Sequence, residues 1–188
     1  MIVLLNGAFG IGKTTVARVL ARRLPGASLY DPERIGFVLQ RLPRFVPLDG
    51  RGTDDYQDLP LWRSLLVRGA CARRRLARTL VVPMAFSRLD YLGEIRSGLA
   101  AIDPDFHHVC LTATLATIHA RLAARERAGT PTTDWMLRRA AECVEAHADP
   151  AFDPRIATDD RTPDEVAHAV LESIAGRHIE TTAPEGGG

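Results

Sequence analysis

The chain has almost no lysine. Lys13 is the only one among 188 residues, and every other member of its 24 Lys and Arg residues is arginine. An arginine bias alone reflects composition, but a sole lysine inside a motif calls for a chemical reason. Net charge is also missing: 24 basic side chains against 23 acidic give +1. No global field draws such a chain onto nucleic acid or an acidic membrane. No window approaches the ~18 uninterrupted apolar residues of a membrane span. The apolar start Ile2–Leu5 is too short for a signal-peptide core and has no basic segment before it. These absences predict a cytoplasmic protein with no stable membrane insertion. Cysteine is sparse: Cys71, Cys110 and Cys143 are odd in number, far apart and set in apolar stretches. They read as free thiols of a reducing compartment, and no Cys/His pair has ligand spacing.

What is present fits one globular domain, residues 1–176, with a flexible tail over 177–188. Hydrophobic content of 46% and charge of 25% suit a soluble chain able to bury a core. Strands are predicted at Ile2–Asn6, Ser28–Asp31, Thr79–Met84, Phe106–Thr112 and Arg155–Thr158. Helices are predicted at Lys13–Leu24, Glu33–Leu42 (closed by Pro43), Leu61–Arg78, Tyr91–Ile102, Leu115–Ala128 and Trp135–Ala148. A last helix opens on the capping box Thr162-Pro163-Asp164-Glu165 and runs to about Ile174. In Leu61–Arg78, Leu61, Leu65, Leu66, Ala70 and Leu76 are assigned to the core and the arginines to water. Phe45–Pro60 reads as a surface loop. Alternating strand and helix implies an α/β fold: a five-stranded parallel sheet flanked by helices in three layers.

Gly7-Ala8-Phe9-Gly10-Ile11-Gly12-Lys13-Thr14 fits G-x-x-x-x-G-K-[ST], followed by Thr15. A polyphosphate carries several negative charges and needs many donors in a small volume. A loop of backbone N–H groups supplies them, and the helix that follows points its positive end at the ligand. Lys13 is placed on the β- and γ-phosphates and Thr14 on Mg²⁺. The motif follows an apolar strand and opens a helix, the context its chemistry requires.

Weaker signals surround it. Asp31 ends the second strand, where ligands gather in open α/β sheets. It is a candidate base for an acceptor hydroxyl or a turn cap before Pro32. Arg121 and Arg125 are i,i+4 neighbours on one helix face, followed by Gly129-Thr130-Pro131. They read as a lid over a transferring phosphoryl group or as a solvated basic face; Arg138 and Arg139 are lesser candidates. Asp54, Asp55, Tyr56, Gln57, Trp62 and Arg63 cluster before and within the long helix. Tyr56, Trp62 and Arg63 suit an acceptor pocket or a structural anchor. Val81 and Val82 leave the third strand without the acid that many P-loop ATPases carry there. That argues against a motor-type or AAA-type ATPase and for a small-molecule kinase. His107 and His108 read as strand residues.

Ile2–Thr15, Tyr30-Asp31-Pro32-Glu33 with Gly36-Phe37, Asp54–Gln57 with Pro60–Arg63, and Val81-Val82-Pro83-Met84 together resemble the tunicamycin-resistance ATP-binding protein family. The likeness continues through Arg121-Leu122, Arg125 and Cys143-Val144-Glu145. The resemblance implies a nucleoside-kinase-like fold, ATP with Mg²⁺, and resistance to tunicamycin, a uridine-containing antibiotic. It also implies kinship of fold with chloramphenicol phosphotransferase and shikimate kinase, in which an acid after the second strand works on the acceptor; Asp31 is the matching position. The founding member associates with membranes through an amphipathic C-terminal segment, a pattern that Gly176–Gly188 lacks.

Three functions follow as expectations. The first is Mg-ATP-dependent phosphoryl transfer to a hydroxyl of tunicamycin or a similar nucleoside. Lys13, Asp31, Arg121 and Arg125 would be its catalytic groups. The second is ATP-dependent sequestration of the drug without chemistry, and the third a general metabolic small-molecule kinase. A monomer and a homodimer are both compatible with the sequence.

Overall fold

The computed structural model describes residues 1–40 and 55–182. Its strands are β1 (Ile2–Gly7), β2 (Ala27–Leu29), β3 (Thr79–Met84), β4 (Phe106–Thr112) and β5 (Arg155–Ala157). They form one parallel sheet in the order β2-β3-β1-β4-β5. The helices are α1 (Lys13–Arg23), α2 (Glu33–Gln40), α3 (Pro60–Arg74), α4 (Leu89–Ile102), α5 (Leu115–Arg127), α6 (Asp134–Ala146) and α7 (Pro163–Thr182).

The pleat of β1 feeds both faces of the sheet. Ile2 and Leu4 enter one core with Leu80, Val82, Trp62, Leu66 and Leu92. Val3 and Leu5 enter the other with Val81, Val16, Leu20, Val166 and Val170. Side chains alternate along a strand, so one apolar run supplies both layers. Each large aliphatic group so buried contributes roughly 1.5–3 kcal/mol. With β3 on one side of β1 and β4 on the other, the connections diverge beside the end of β1 and open a crevice there.

The capping box forms as expected: Thr162 N donates to Glu165 Oε2 at 2.7 Å and Glu165 N to Thr162 Oγ1 at 3.3 Å. Several boundaries are corrected. The long helix α3 spans Pro60–Arg74, so it begins one residue before Leu61 and ends before Arg78. Its buried stripe is Trp62, Leu66 and Ala70, spaced by four, while Leu61 and Leu76 are 43% and 91% exposed. Leu66 and Ala70 are buried as expected and Leu65 packs against the core, whereas Trp62 rather than Leu61 heads the stripe and Leu76 lies beyond the end of the helix. Residues 56–58 form a short 3-10 turn inside the expected loop, capped by Asp55. The terminal helix α7 passes Ile174 and Gly176 and reaches Thr182. Gly176 lacks the positive φ of a helix-ending glycine, so it costs about 1 kcal/mol of propensity without stopping the helix. Pro43, Asp54, the first part of the expected loop and the end of the tail lie outside the described residues.

Candidate phosphate site and acceptor crevice

The P-loop turns at Gly10 (φ 80°) and Gly12 (φ 100°), both in the left-handed region that favours glycine. A Cβ on Gly10 would stand 2.7 Å from Leu122 Cγ, so the loop also lies against α5 too closely for any side chain. Gly12 is the N-cap of α1 and has no side chain to cap it; Thr15 N and Val16 N donate to Gly12 O, each at 3.0 Å, and the helix start faces the loop. Lys13 is 8% exposed. Its Nζ donates to Ala8 O at 3.2 Å and sits 5.1 Å from the centre of the Phe9 ring. Thr14 and Thr15 are exposed at the mouth.

A cavity of about 650 Å³ opens on this loop. Lys13, Arg18, Arg121, Arg125 and Arg161 line it, and among the described residues no carboxylate does. In a protein of net charge +1 this is a strong local concentration of positive charge. Backbone donors, five cations and a close backbone approach fit a polyphosphate. Thr14 is an exposed hydroxyl lining this cavity; β3 (TLVVPM) offers no acid, so a divalent cation held here would keep mostly water ligands.

The two lid arginines differ. Arg121 is committed to three acceptors: Nη1 donates to Ile11 O and Thr158 Oγ1, each at 2.9 Å, and Nη2 to Thr158 O at 2.7 Å. It braces the P-loop against the segment after β5. Asp159 strengthens the same joint by accepting from Thr114 N, Thr114 Oγ1 and Thr117 Oγ1 at the start of α5. Those bonds hold its carboxyl below the usual range, led by the Thr117 hydroxyl. Arg125 is bound far more loosely, with Met136 Sδ 3.8 Å from Nη2.

Beyond Lys13, the ends of β2 and β3 and the start of α3 frame a second region. Asp31 Oδ1 accepts from Glu33 N at 3.1 Å, so Asp31 does cap the turn. That turn presents Glu33, which the sequence marked as a helix start and as part of a family block but gave no role. Burial raises the Glu33 pKa, with Lys13 opposing and Asp31 and Asp55 adding to the rise. Asp55 is also raised by burial, against the Gln57 amide and Arg139, and its Oδ2 pairs with Arg139 Nη2 at 3.0 Å. Arg139 Nη1 reaches Ser87 Oγ at 3.0 Å. A carboxyl whose pKa is raised by partial burial is a recognisable signal for chemistry, and it becomes visible only once the fold half-buries Glu33.

Tyr56 and Trp62 are fully buried, 1% and 0% exposed. Their rings therefore pack in the core, the structural-anchor alternative of the two that the sequence left open. Trp62 Nε1 donates to Pro32 O at 3.1 Å and so props the Asp31–Glu33 turn from below. Arg63 stacks 4.2 Å from the Tyr91 ring centre, pairs with Glu94 at 2.6 Å and donates to Gln57 O at 2.6 Å. Its donors fasten the 56–58 turn to α4. Asn6 also escaped the sequence reading. Its Oδ1 accepts from Phe86 N at 2.8 Å and its Nδ2 donates to Phe86 O at 3.1 Å, copying a strand ladder from a side chain. His147 Nε2 lies 2.8 Å from the same carbonyl, which can only accept, so that nitrogen carries the proton.

Fold and site together define a P-loop kinase-like protein. The chain belongs to the AAA domain family, whose model matches residues 2–148. The expectation that it stands apart from AAA-type ATPases is thus corrected at the level of the family, although the missing β3 acid is real. Among solved structures it is similar to the tunicamycin resistance protein of Deinococcus radiodurans, at 29% identity and TM-score 0.69, covering 94% of each chain. The resemblance read from the sequence is thereby supported in three dimensions. Shikimate kinase from Acinetobacter baumannii, in complex with shikimate, matches at 16% identity and TM-score 0.63, covering 95% of this chain and 94% of that one. A gluconokinase from Sinorhizobium meliloti 1021 matches at 19% and 0.60, covering 96% and 97%. These last two show shared fold alone. No curated protein matches the sequence. Among the described residues, no helix is long and apolar enough to cross a membrane.

Proposed function

We propose that the protein binds Mg-ATP at the P-loop and transfers its terminal phosphoryl group to a hydroxyl of tunicamycin or a similar nucleoside-like molecule. The observation that carries this reading is the opposition of two charge fields around Lys13. On one side lies a cavity lined by five cations, and on the other the Asp31–Glu33 turn. A sequestering site needs affinity for its ligand, whereas phosphoryl transfer also needs a proton acceptor beside the phosphate site. Glu33 fits that role better than Asp31, because Asp31 is engaged in holding the turn. The backbone amides and Lys13 neutralise charge on the phosphates, Thr14 is a ligand for the cation, and Arg125 is the cavity's loosely held guanidinium. Thr14 would help hold Mg²⁺, which when bound would supply charge neutralisation. Arg121 keeps the loop and the base side of the cavity in register.

The test is incubation of the protein with Mg-ATP and tunicamycin, followed by mass spectrometry of the drug. A gain of one phosphoryl group is expected. Unmodified drug together with ATP-dependent co-elution of drug and protein would replace catalysis with sequestration. A thermal-shift panel in which only a common sugar or nucleoside stabilises the protein would assign it to general metabolism.

A further inference from the structure

The P-loop is packed on its outer side as well as its inner one. Phe9, at the loop apex, is 9% exposed and joins a small core with Ala8, Ile118, Leu122, Ala140 and Cys143. Its ring meets Trp135 at the start of α6, centroids 5.2 Å apart and planes at 67°, an edge-on geometry that aromatic pairs favour. The same ring lies 5.1 Å from Lys13 Nζ, within range of an attraction between an ammonium and a π-face. One phenyl group is therefore shared between the protein's sole lysine and the second lid helix. Four residues along α6, on the same face as Trp135, Arg139 pairs with Asp55 at 3.0 Å and reaches Ser87 at 3.0 Å. Phe9, Trp135, α6 and the Arg139–Asp55 pair thus form a continuous physical link from the phosphate side to the acceptor side.

We propose that Phe9 is a positioning residue for Lys13, holding the ammonium at the loop apex and coupling its movement toward a phosphate to α6 through Trp135. The inference rests on the polyphosphate reading given above. A phosphate arriving in the loop draws Lys13 off the ring. The Phe9–Trp135 contact then loses its cationic neighbour, and α6 responds at the end that faces the acceptor crevice. An apolar residue of similar size would preserve the packing but not this coupling, which separates the proposal from a purely structural role.

The sequence supplies its own probe. With one lysine in the chain, ¹³C-lysine labelling gives a single ε-methylene resonance, read in the full-length protein. In the wild type this resonance is displaced upfield by the Phe9 ring current. Phe9→Tyr keeps the displacement, whereas Phe9→Leu returns it to the ordinary lysine position with the thermal midpoint little changed. Inorganic tripolyphosphate with Mg²⁺ moves the wild-type resonance and changes Trp135 fluorescence, assigned by its loss in Trp135→Phe. Phe9→Leu binds tripolyphosphate within about fivefold of wild type, the scale of one cation–π contact, yet loses the Trp135 response. An undisplaced wild-type resonance, or a Phe9→Leu protein that keeps both signals, overturns the proposal. A displaced resonance that tripolyphosphate leaves still, with no thermal stabilisation, overturns the polyphosphate reading and the coupling with it. A wild type that is stabilised by tripolyphosphate without moving Lys13 overturns the coupling alone.

Discussion

The two sides of the crevice are built by different means. The phosphate side has its loop in one contiguous segment, Gly7–Thr15, with backbone amides, two left-handed glycines and a helix start, while Arg18, Arg121, Arg125 and Arg161 complete its lining from α1, α5 and the segment after β5. The acceptor side is made from side chains on separate elements: Asp31 and Glu33 after β2, Asp55 before α3, Ser87 after β3 and Arg139 on α6. One side is cationic and the other largely acidic, with Lys13 electrostatically coupled to Glu33 between them. The contrast shows how such a protein can keep a common phosphate cradle while the acceptor pocket changes. The cradle depends on local geometry, and the pocket depends on how distant elements meet.

Substituting Glu33 tests that separation most severely. Glu33→Gln is expected to lower kcat by about 10²–10⁴-fold, the range for loss of a positioned general base. Nucleotide affinity, measured by calorimetry, should hardly move. The pH profile carries the sign. A base works only when deprotonated, so activity rises with pH through the Glu33 pKa, which burial places above its ordinary value. The variant should lose that limb, and an unchanged profile would remove Glu33 from the chemistry. Asp31→Asn should act more mildly, through the turn it caps.

The support beneath the acceptor side comes next. Trp62→Ala removes a fully buried indole and the donor to Pro32 O, with an expected loss of roughly 3–5 kcal/mol in urea unfolding. Tryptophan is packed here against Tyr56 at 5.0 Å and Phe86 at 6.1 Å. A smaller loss would mean that the cavity collapses freely. On the phosphate side, Arg121→Ala leaves Ile11 O and the Thr158 oxygens without their donor. That should cost about 1–3 kcal/mol and weaken nucleotide binding. If Arg121 instead acts on the transferring phosphoryl group, kcat will fall with no change in stability.

The smallest effect lies far from either side. Asp103 is pushed down to about 2: burial opposes its ionisation, but the N-terminal ammonium, Arg74 and the Asp105 amide outweigh that. A carboxyl depressed in the folded state contributes stability above its unfolded pKa and loses it as pH falls toward 2. The expected contribution is about 1–2 kcal/mol, lost between roughly pH 4 and pH 2 and absent in Asp103→Asn.

The strands and their parallel sheet could be anticipated because buried parallel strands are nearly continuous apolar runs, as Ile2–Leu5 and Thr79–Met84 are; their order in the sheet came only from the structure. Boundaries were less legible where one large side chain set the frame. Trp62 heads the buried stripe of α3 and Leu61 beside it is exposed, while Leu76 is exposed because the helix ends at Arg74. For the aromatic pair Tyr56 and Trp62 the sequence left pocket wall and structural anchor open, since composition cannot distinguish a pocket wall from the core behind it; their burial came from the structure. Glu33 was within a quoted block, yet nothing in its local sequence distinguishes a buried, charge-shifted carboxyl from an ordinary helix-start glutamate. Asn6 was equally silent, because its partner Phe86 lies on another strand's exit.

By itself the sequence determined the P-loop, the alternating α/β order and the special place of Lys13. Those depend on neighbours within a dozen residues, where spacing maps directly onto backbone geometry. Only the tertiary structure decided that Arg121 bonds Ile11 O and Thr158, that Asp31 caps the turn before Glu33, and that the Phe9 ring lies beside both Lys13 and Trp135. Such assignments depend on which distant groups share a water-free space, and burial changes the energy of a charge or a ring contact in ways that no local pattern records.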